Sequence, residues 1–390
     1  MAINFPTSLD NFTNPSASDT LDSPTAPHAT QHSDLNDAVE ALQAKVGVDN
    51  SAVTTSLDYK ISDHEYKLTN GIIPVGTTAQ RPASPVAGMI RYNSETGVIE
   101  SYDGTEWLNL SDVFSGSGGT KVESGAFTYH TFTSSGNFVV QSSGTVDALI
   151  VAGGGGASGG GGGAGGIVSL ASYAITAGTY AVVVGSGGAG QNPGTAHGTN
   201  GGDSSVFGYT AIGGGGGGNR VSGTAGSGGS GGGGGQDNRS SSGSGTSGQG
   251  FAGGAGSPGG YGGAGGGGGA AEAGNTDAAP TAGEPGRGGD GGDGVNTYST
   301  WASATSTGDN GYYAGGGSGG CNTGSGGSSG PNAAVSSPGL GGGGQGTNVY
   351  NGSGGNAAVN TGGGGGGAEY EAPGNGGSGG SGIVIIRYLT

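Results

Sequence analysis

VDALIV at residues 146–151 and IVIIRY at residues 383–388 enclose a glycine field that runs from Gly153 to Gly382. Short apolar runs that are rich in β-branched residues and bounded by glycines are typical of buried strands. Two such runs at the ends of one long insert predict neighbouring strands of the same sheet. The insert is then a folded lobe whose two ends are held together.

The glycine content raises the question of whether this lobe can fold. Twelve of the 104 glycines precede Gly153, which leaves 92 in the last 238 residues. Glycine loses more backbone entropy on ordering than any other residue, so a flexible low-complexity tail is one interpretation. Against it, aromatic residues recur through the field, proline is sparse, and an unpaired IVIIRY segment would be an aggregation hazard.

Glycine permits one ordered arrangement that other residues do not, which is the side-by-side packing of polyproline II helices. Such a helix has three residues per turn and no internal hydrogen bonds. Without Cβ atoms, neighbouring helices approach closely enough to pair every N–H with a carbonyl of the next helix. The glycine runs are uninterrupted rather than spaced every third residue, which excludes collagen and favours a polyglycine II bundle.

Four stretches carry a resemblance to a known family, and they are FTSSGNF at 132–138, VDALIVAGGGG from 146, AGTYAVVVG at 177–185 and GSGIVIIRY at 380–388. Together they resemble the glycine-rich receptor-binding domains of bacteriophage tail fibres and adhesins, over roughly residues 120–390. The resemblance implies stacked polyglycine II helices that display variable tips to a bacterial host. It also implies an oligomeric fibre that docks on the virion through its N-terminus.

Helix signals begin at Ser33, a favourable N-cap residue, and Gly47 is placed to stop the helix. Apolar residues recur at spacings of three and four on two short segments, which is typical of a coiled coil. Packing against the downstream β module is the alternative. A homotrimer is preferred because fibre families are mostly trimeric, and a dimer stays open. The predicted oligomerisation residues are Leu35, Val39, Leu42, Val46, Leu57, Ile61 and Leu68.

Residues 71–113 change to a β pattern, with strands expected at 89–92, 98–102 and 107–110 and turns between them. The RPxxPxxGxIRYN pattern from Arg81 to Asn93 is similar to a small module of phage fibre and virion proteins. Further strands up to Ile212 predict a β-sandwich base from which the glycine lobe projects.

The expected fold is therefore mostly β with a glycine-rich polyglycine II helix bundle and short N-terminal coiled-coil helices, assembled as a fibrous homotrimer. The expected segments are 1–31 for virion attachment, 32–70 for helical oligomerisation, 71–113 for the β-meander, 114–212 for the sandwich base, 213–382 for the receptor-binding lobe and 383–390 for the closing strand. A disordered leader is the alternative for residues 1–31.

Charge and chemistry exclude several classes of function. The formal net charge of −17 argues against nucleic-acid binding, and the sequence shows no span for membrane insertion. His28 and His32, at i and i+4, could present two ligands to one metal, but Pro27 and the absence of a nearby Cys favour a solvated helix entrance. Asp290 and Asp293 suggest a calcium loop but lack the run of oxygen ligands that an EF-hand requires, so a solvated turn is favoured. No nucleophile motif accompanies the histidines. We expect no enzyme activity, no catalytic residue, no metal and no cofactor, and a protein made in the host cytoplasm and carried on the virion.

What remains is recognition by non-glycine islands on a rigid scaffold. Tyrosine and tryptophan supply large contacts at low entropy cost, although such residues could equally be turns or plugs that pack the lobe. The candidate contacts with a bacterial polysaccharide or outer-membrane protein are Asp237, Asn238, Arg239, Tyr298, Trp301, Tyr312, Tyr313, Tyr350 and Tyr370. The alternatives to a receptor-binding fibre are a structural or decorating fibre of the virion and, as a minor one, an ice-binding protein.

Overall fold

The computed structural model describes residues 20–21, 28–46, 54, 57, 60–61, 73–110, 114–221, 224–236, 241–257, 262–276, 287–321, 336–349, 351–369 and 374–390. The chain forms two compact units, Met1–Asp112 and Val113–Thr390. Strand is more common than helix in the described residues, and the sheets are open, as expected for a mostly β protein.

The first unit contains helix α1 (His28–Val46). The helix includes residues 28–32, so it begins before the predicted N-cap at Ser33. The predicted stop at Gly47 lies outside the described residues.

The same unit contains a four-stranded sheet in the order β1-β2-β3-β4. The three predicted strands are confirmed, and the parallel strand β1 was not predicted. The strands are β1 (Val75–Gly76), β2 (Ile90–Asn93), β3 (Val98–Tyr102) and β4 (Trp107–Asn109).

One face of this sheet buries a polar network around Glu100. Its carboxylate accepts hydrogen bonds from Arg81 at 2.6 and 3.1 Å, from Arg91 at 3.1 Å and from Asn93 at 3.2 Å. The hydrogen bond from Arg81 is the main cause that lowers the pKa of Glu100, and burial opposes it. Apolar residues lie on the opposite face and are exposed, namely Val75, Ile90, Ile99 and Leu108.

The second unit is built on a five-stranded sheet in the order β10-β9-β14-β7-β6. Its strands are β6 (Thr120–Ser124), β7 (Phe127–Phe132), β9 (Gly144–Val151), β10 (Ile167–Ile175) and β14 (Ile383–Leu389). The pairing of Ile383 with Val151 in β14 and β9 confirms that the two apolar runs are neighbours.

A smaller sheet and a hairpin complete the strands of this unit. The small sheet has the order β11-β8-β5, from β5 (Gly116–Ser117), β8 (Gly136–Val140) and β11 (Gly178–Val182). The hairpin joins β12 (Ser204–Val206) to β13 (Tyr209–Ala211), where the sequence predicted one continuous strand from 205 to 212. The small sheet and the five-stranded sheet share one apolar core that includes Phe138, Val182 and Ile150.

Residues 148–151 of β9 and 383–386 of β14 are buried on both faces, which explains why these segments are apolar throughout rather than alternating. Ala148, Ile150 and Ile386 face the core shared with the small sheet. Leu149 and Ile385 face a second core that contains Trp301 and Tyr313. A short helix, α2 (Ser299–Thr305), covers this second face, and it was not predicted.

The glycine runs pair with one another through their backbones, and we call this part of the unit the glycine lobe. The N–H groups of residues 160–166 donate to three other runs in turn, and each run is met again after three residues. The first run accepts from Gly160, Gly163 and Gly166, through the carbonyls of Gly218, Gly215 and Ile212 respectively. The second accepts from Gly161 and Ala164 through Gly265 and Gly268, and the third from Gly162 and Gly165 through Gly365 and Gly362. All seven N–O distances are 2.8–3.1 Å.

Carbonyl groups of the same run accept from three further runs, so residues 159–166 lie at the centre of six neighbours. The donors come from residues 152–155, 230–233 and 317–320. The sequence analysis placed the lobe at residues 213–382. In the structure the lobe extends beyond that range. Residues 152–166 belong to it because most of their N–H groups donate to later runs, and the rest pair within the stretch itself.

Side chains replace a neighbouring run at the surface of the lobe. Asp203 and Asn200 accept hydrogen bonds from the N–H groups of Gly213 and Gly216 at 2.8 and 2.9 Å. Asp290 and Asp293 accept in the same way from Ser337 and Leu340 at 2.6 and 2.8 Å. In each pair the accepting side chains are three residues apart, so they follow the repeat of the runs.

Candidate functional site

The nine predicted binding residues separate into two groups. Tyr298, Trp301, Tyr312 and Tyr313 are described, and they lie where the glycine lobe meets the five-stranded sheet. Asp237, Asn238, Arg239, Tyr350 and Tyr370 lie outside the described residues.

Trp301 is a core residue, which corrects its assignment as a receptor contact. Helix α2 places it against the sheet, where only 6% of its surface is exposed. Its ring meets Tyr129 and Tyr298 edge to face, with centroids 6.1 and 5.6 Å apart. A side chain with so little free surface cannot contribute a large contact to a partner.

A stacked arginine holds Trp301 in place. The guanidinium carbon of Arg387 lies 4.4 Å from the centroid of the Trp301 ring and 4.1 Å from that of Phe127. Asp147 accepts hydrogen bonds from the same guanidinium, with N–O distances of 2.9 and 3.0 Å. Cation–π contacts of this kind stabilise the packing of α2 on the sheet.

Tyr313 is also removed from the list of contacts because its side chain is fully buried. Its hydroxyl group lies 2.6 Å from that of Thr307, and burial raises the pKa of Tyr313. Tyr312 and Tyr298 are half-buried and keep free surface. The hydroxyl group of Tyr312 accepts a hydrogen bond of 3.3 Å from Asn296.

The turn at Ser158 marks the far end of the lobe, opposite the five-stranded sheet. Several runs reach this end together, since Ala368 donates to the carbonyl of Ser158 and Gly320 to that of Gly159, at 2.7 and 3.0 Å. Gln236 Nε2 donates to the carbonyl of Gly320 at 3.4 Å. The described residues next to the connections 237–240, 322–335 and 370–373 therefore lie at the far end.

Buried polar side chains end the glycine runs at this far end. Gln236, Cys321 and Glu369 each have no more than 1% of their surface exposed. The carboxylate of Glu369 accepts a hydrogen bond of 3.0 Å from the N–H of Asn351. Burial raises the pKa of the Cys321 thiol, so this residue is not an activated nucleophile.

The predicted oligomerisation residues of α1 carry free apolar surface. Leu35, Val39, Leu42 and Val46 are all exposed, with 58% of Leu35 accessible. Leu57 and Ile61 are helical and exposed as well, and Leu68 lies outside the described residues. The apolar stripe that these residues of α1 form is therefore available for contact with a partner.

Two features are absent from the described residues. No helix there is both long and apolar enough to cross a membrane. No three His, Cys, Asp or Glu side chains in that part of the chain are grouped so that they could hold a metal ion.

Comparison with known proteins identifies a family. The model of a family described as a glycine-rich domain matches residues 131–389, which is more than half of the chain. This range starts in β7 and ends in β14, and it includes the whole glycine lobe. No curated protein matches the sequence.

Proposed function

Because this chain belongs to the glycine-rich domain family, we propose that its glycine runs are polyglycine II helices and that they form a scaffold for host recognition. The three-residue repeat of the hydrogen bonds around residues 160–166 supports the helix assignment, since a polyproline II helix has three residues per turn. Six neighbours around one run correspond to hexagonal packing of such helices.

The proposed protein is a bacteriophage tail fibre that recognises the bacterial surface through the far end of the glycine lobe. The observation that carries the proposal is the position of the described residues that flank the connections. The runs are fixed by backbone pairing, which does not depend on the residues between them, and several connections start from the same end. Loops on a rigid scaffold can change their sequence without disturbing the fold.

Five of the predicted contact residues stay in this proposal, namely Asp237, Asn238, Arg239, Tyr350 and Tyr370. Each belongs to a connection whose described neighbours, such as Gln236 and Glu369, lie at the far end. The partner we propose is a surface polysaccharide or an outer-membrane protein.

The first unit is proposed to make the fibre a homotrimer and to attach it to the virion. The exposed stripe on α1 and the exposed apolar face of the four-stranded sheet support self-association. A sheet of this size with its polar face buried and its apolar face free has little core of its own. Residues 1–31 are proposed to dock on a tail or virion protein.

The test is the binding of fluorescently labelled full-length protein to a panel of bacterial strains. We expect saturable binding to some strains, and its loss when Asp237, Asn238, Arg239, Tyr350 and Tyr370 are all replaced by serine. Tyr312→Ser is the matched control, because Tyr312 keeps free surface but lies at the sheet end. Absence of binding to every strain by a folded protein would favour a structural or decorating fibre instead.

A further inference from the structure

A cleft of about 350 Å³ lies beside the edge strand β10, at the sheet end of the glycine lobe. Its walls include Ile167 and Ser169 of β10, Gln249, and Thr297 with Tyr298. The volume is within the range of about 300–1,000 Å³ that is usual for small-molecule sites. The cleft lies opposite the far-end connections.

One wall of the cleft offers backbone hydrogen-bonding groups. Successive residues of an antiparallel strand point their N–H and C=O groups to alternate sides. The carbonyl of Gly166 faces Ala152, and the N–H of Ile167 turns away from β9 to donate to Gln249 at 3.2 Å. Ser169 has the same orientation as Ile167, so its backbone groups face the open edge, and its side chain is exposed.

The opposite wall is held rigidly. Gln249 Oε1 accepts a hydrogen bond of 2.8 Å from Ile212, and Nε2 donates one of 3.1 Å to the carbonyl of Thr210. The second Nε2 hydrogen remains for another acceptor. Tyr298 packs edge to face on the buried Trp301, which restricts the orientation of its ring.

The chemistry of the lining suits a neutral ligand that carries many hydroxyl groups. None of the lining residues is charged, although the chain has a formal net charge of −17. The hydroxyl groups of Ser169, Thr297 and Tyr298 take no part in hydrogen bonds among the described residues. An aromatic ring beside free donors and acceptors is suited to the apolar face and the hydroxyl groups of a sugar.

An added peptide strand does not fit this edge. The N–H of Ile167 is already used by Gln249, and the register of β10 shifts between Leu170 and Tyr173. Ser172 has a φ of 49°, in the left-handed region, which bends the strand further. Only a short outward-facing segment therefore remains, and bulges of this kind prevent edge pairing.

We propose that this cleft binds a single neutral sugar unit, with Tyr298 against the ring and Ser169, Gln249 and Thr297 bonded to its hydroxyl groups. The site is separate from the far-end connections and does not depend on their role in host binding. It would give the glycine-rich domain a second, carbohydrate-directed contact at its sheet end.

Saturation-transfer NMR on the full-length protein tests the proposal. The probes are methyl α-glucopyranoside, methyl α-galactopyranoside and N-acetylglucosamine, with glucuronate as a charged probe. We expect saturable binding of at least one neutral sugar and weaker binding of glucuronate. Thr297→Arg, which fills the cleft, should weaken binding by at least about tenfold, or about 1.4 kcal/mol.

Asn296→Arg is the matched control because Asn296 is exposed and adjacent in sequence but does not line the cleft. It should bind like the wild type. Tyr298→Ser, checked for an unchanged circular-dichroism spectrum, should reduce binding as Thr297→Arg does. The proposal is overturned by the absence of a saturable signal for all three neutral sugars, or by equal binding to Thr297→Arg and wild type. The sugar-binding result does not depend on whether the labelled protein binds to bacterial strains.

Discussion

Gly159 and Gly162 lie three residues apart in the same run, yet a methyl group on each would meet different surroundings. On Gly162 it would overlap the carbonyl oxygen of Gly155. On Gly159 its nearest neighbour would be the carbonyl oxygen of Gly218 at 3.5 Å, an ordinary contact. Glycine is therefore required at some positions of the lobe and is only tolerated at others.

This difference predicts opposite effects for two alanine substitutions. Gly162→Ala should destabilise the second unit by at least about 1–3 kcal/mol, the usual effect of overpacking. Gly159→Ala should be neutral or should stabilise it by up to about 1 kcal/mol, because alanine lowers the entropy of the unfolded chain. Urea unfolding of both variants measures the difference, and equal effects would contradict the close packing of the runs.

His130 is a buried histidine whose neutral form is held by two hydrogen bonds. It is 1% exposed, and the burial lowers its pKa below the ordinary value of 6.5. Nδ1 lies 2.7 Å from the carbonyl of Gly118, to which it donates, and Nε2 lies 3.2 Å from the hydroxyl oxygen of Tyr388. The N–H of Gly116 donates to the same hydroxyl oxygen at 3.1 Å.

We therefore expect stability to fall with pH in a defined window. Above pH 6.5 the histidine is neutral in both the folded and the unfolded states, and its contribution is complete. As the pH falls from 6.5 through the depressed folded pKa, the unfolded chain binds a proton that the folded chain does not, and stability is lost. Unfolding free energies at pH 7 and pH 5.5 should show a smaller loss in His130→Phe than in the wild type. His197→Gln, at an exposed position, should retain the wild-type dependence.

At the scale of elements, the amphipathic pattern of α1 is the feature that needs a partner. Leu35, Val39, Leu42 and Val46 form a stripe with spacings of four, three and four, and all four are exposed in the single chain. A 3.5-residue period is the pattern of a coiled-coil seam.

An aspartate on this stripe should prevent assembly. Leu42→Asp would place a charge in the apolar seam, so sedimentation equilibrium should show the mass of a trimer for the wild type and that of a monomer for the variant. Ala44→Asp introduces the same charge at an exposed position on the other side of the helix and should leave the mass unchanged. A monomeric wild type would remove the trimer from the proposal.

Helix α2 shows the limit of pattern reading at this scale. Its sequence, STWASAT, has only seven residues, and Tyr298 makes no side-chain cap at its start, so neither periodicity nor a strong cap predicts it. The aromatic residues on and around it were interpreted as exposed recognition islands. Trp301 instead anchors the helix to Tyr129 and Arg387, which are more than eighty residues away in each direction.

At the scale of the whole molecule, the glycine lobe should behave as an ordered core. Each N–H of residues 160–166 is bonded to another run, and these residues are buried. We expect their amides to exchange with deuterium as slowly as those of β9 and β14, since exchange requires several runs to separate together. Hydrogen-exchange mass spectrometry of the full chain measures this, and rapid exchange throughout the lobe would support a flexible tail.

The sequence by itself determined the centre of the second unit. Continuous apolar runs at 146–151 and 383–388 required burial on both faces, and glycine boundaries fixed their ends, so their pairing followed from local chemistry. The three strands at residues 90–109 were predictable for the same reason, because turn residues act locally.

Only the tertiary structure decided which residues of the lobe are inside. Glycine runs have no side chains to distinguish one neighbour from another, so the sequence could not place residues 159–166 at the centre of six runs. It also could not show that Trp301 and Tyr313 are buried against the sheet. The physical reason is that burial here depends on which distant runs become neighbours. Backbone hydrogen bonds select those neighbours without specific side chains, so the local sequence does not indicate them.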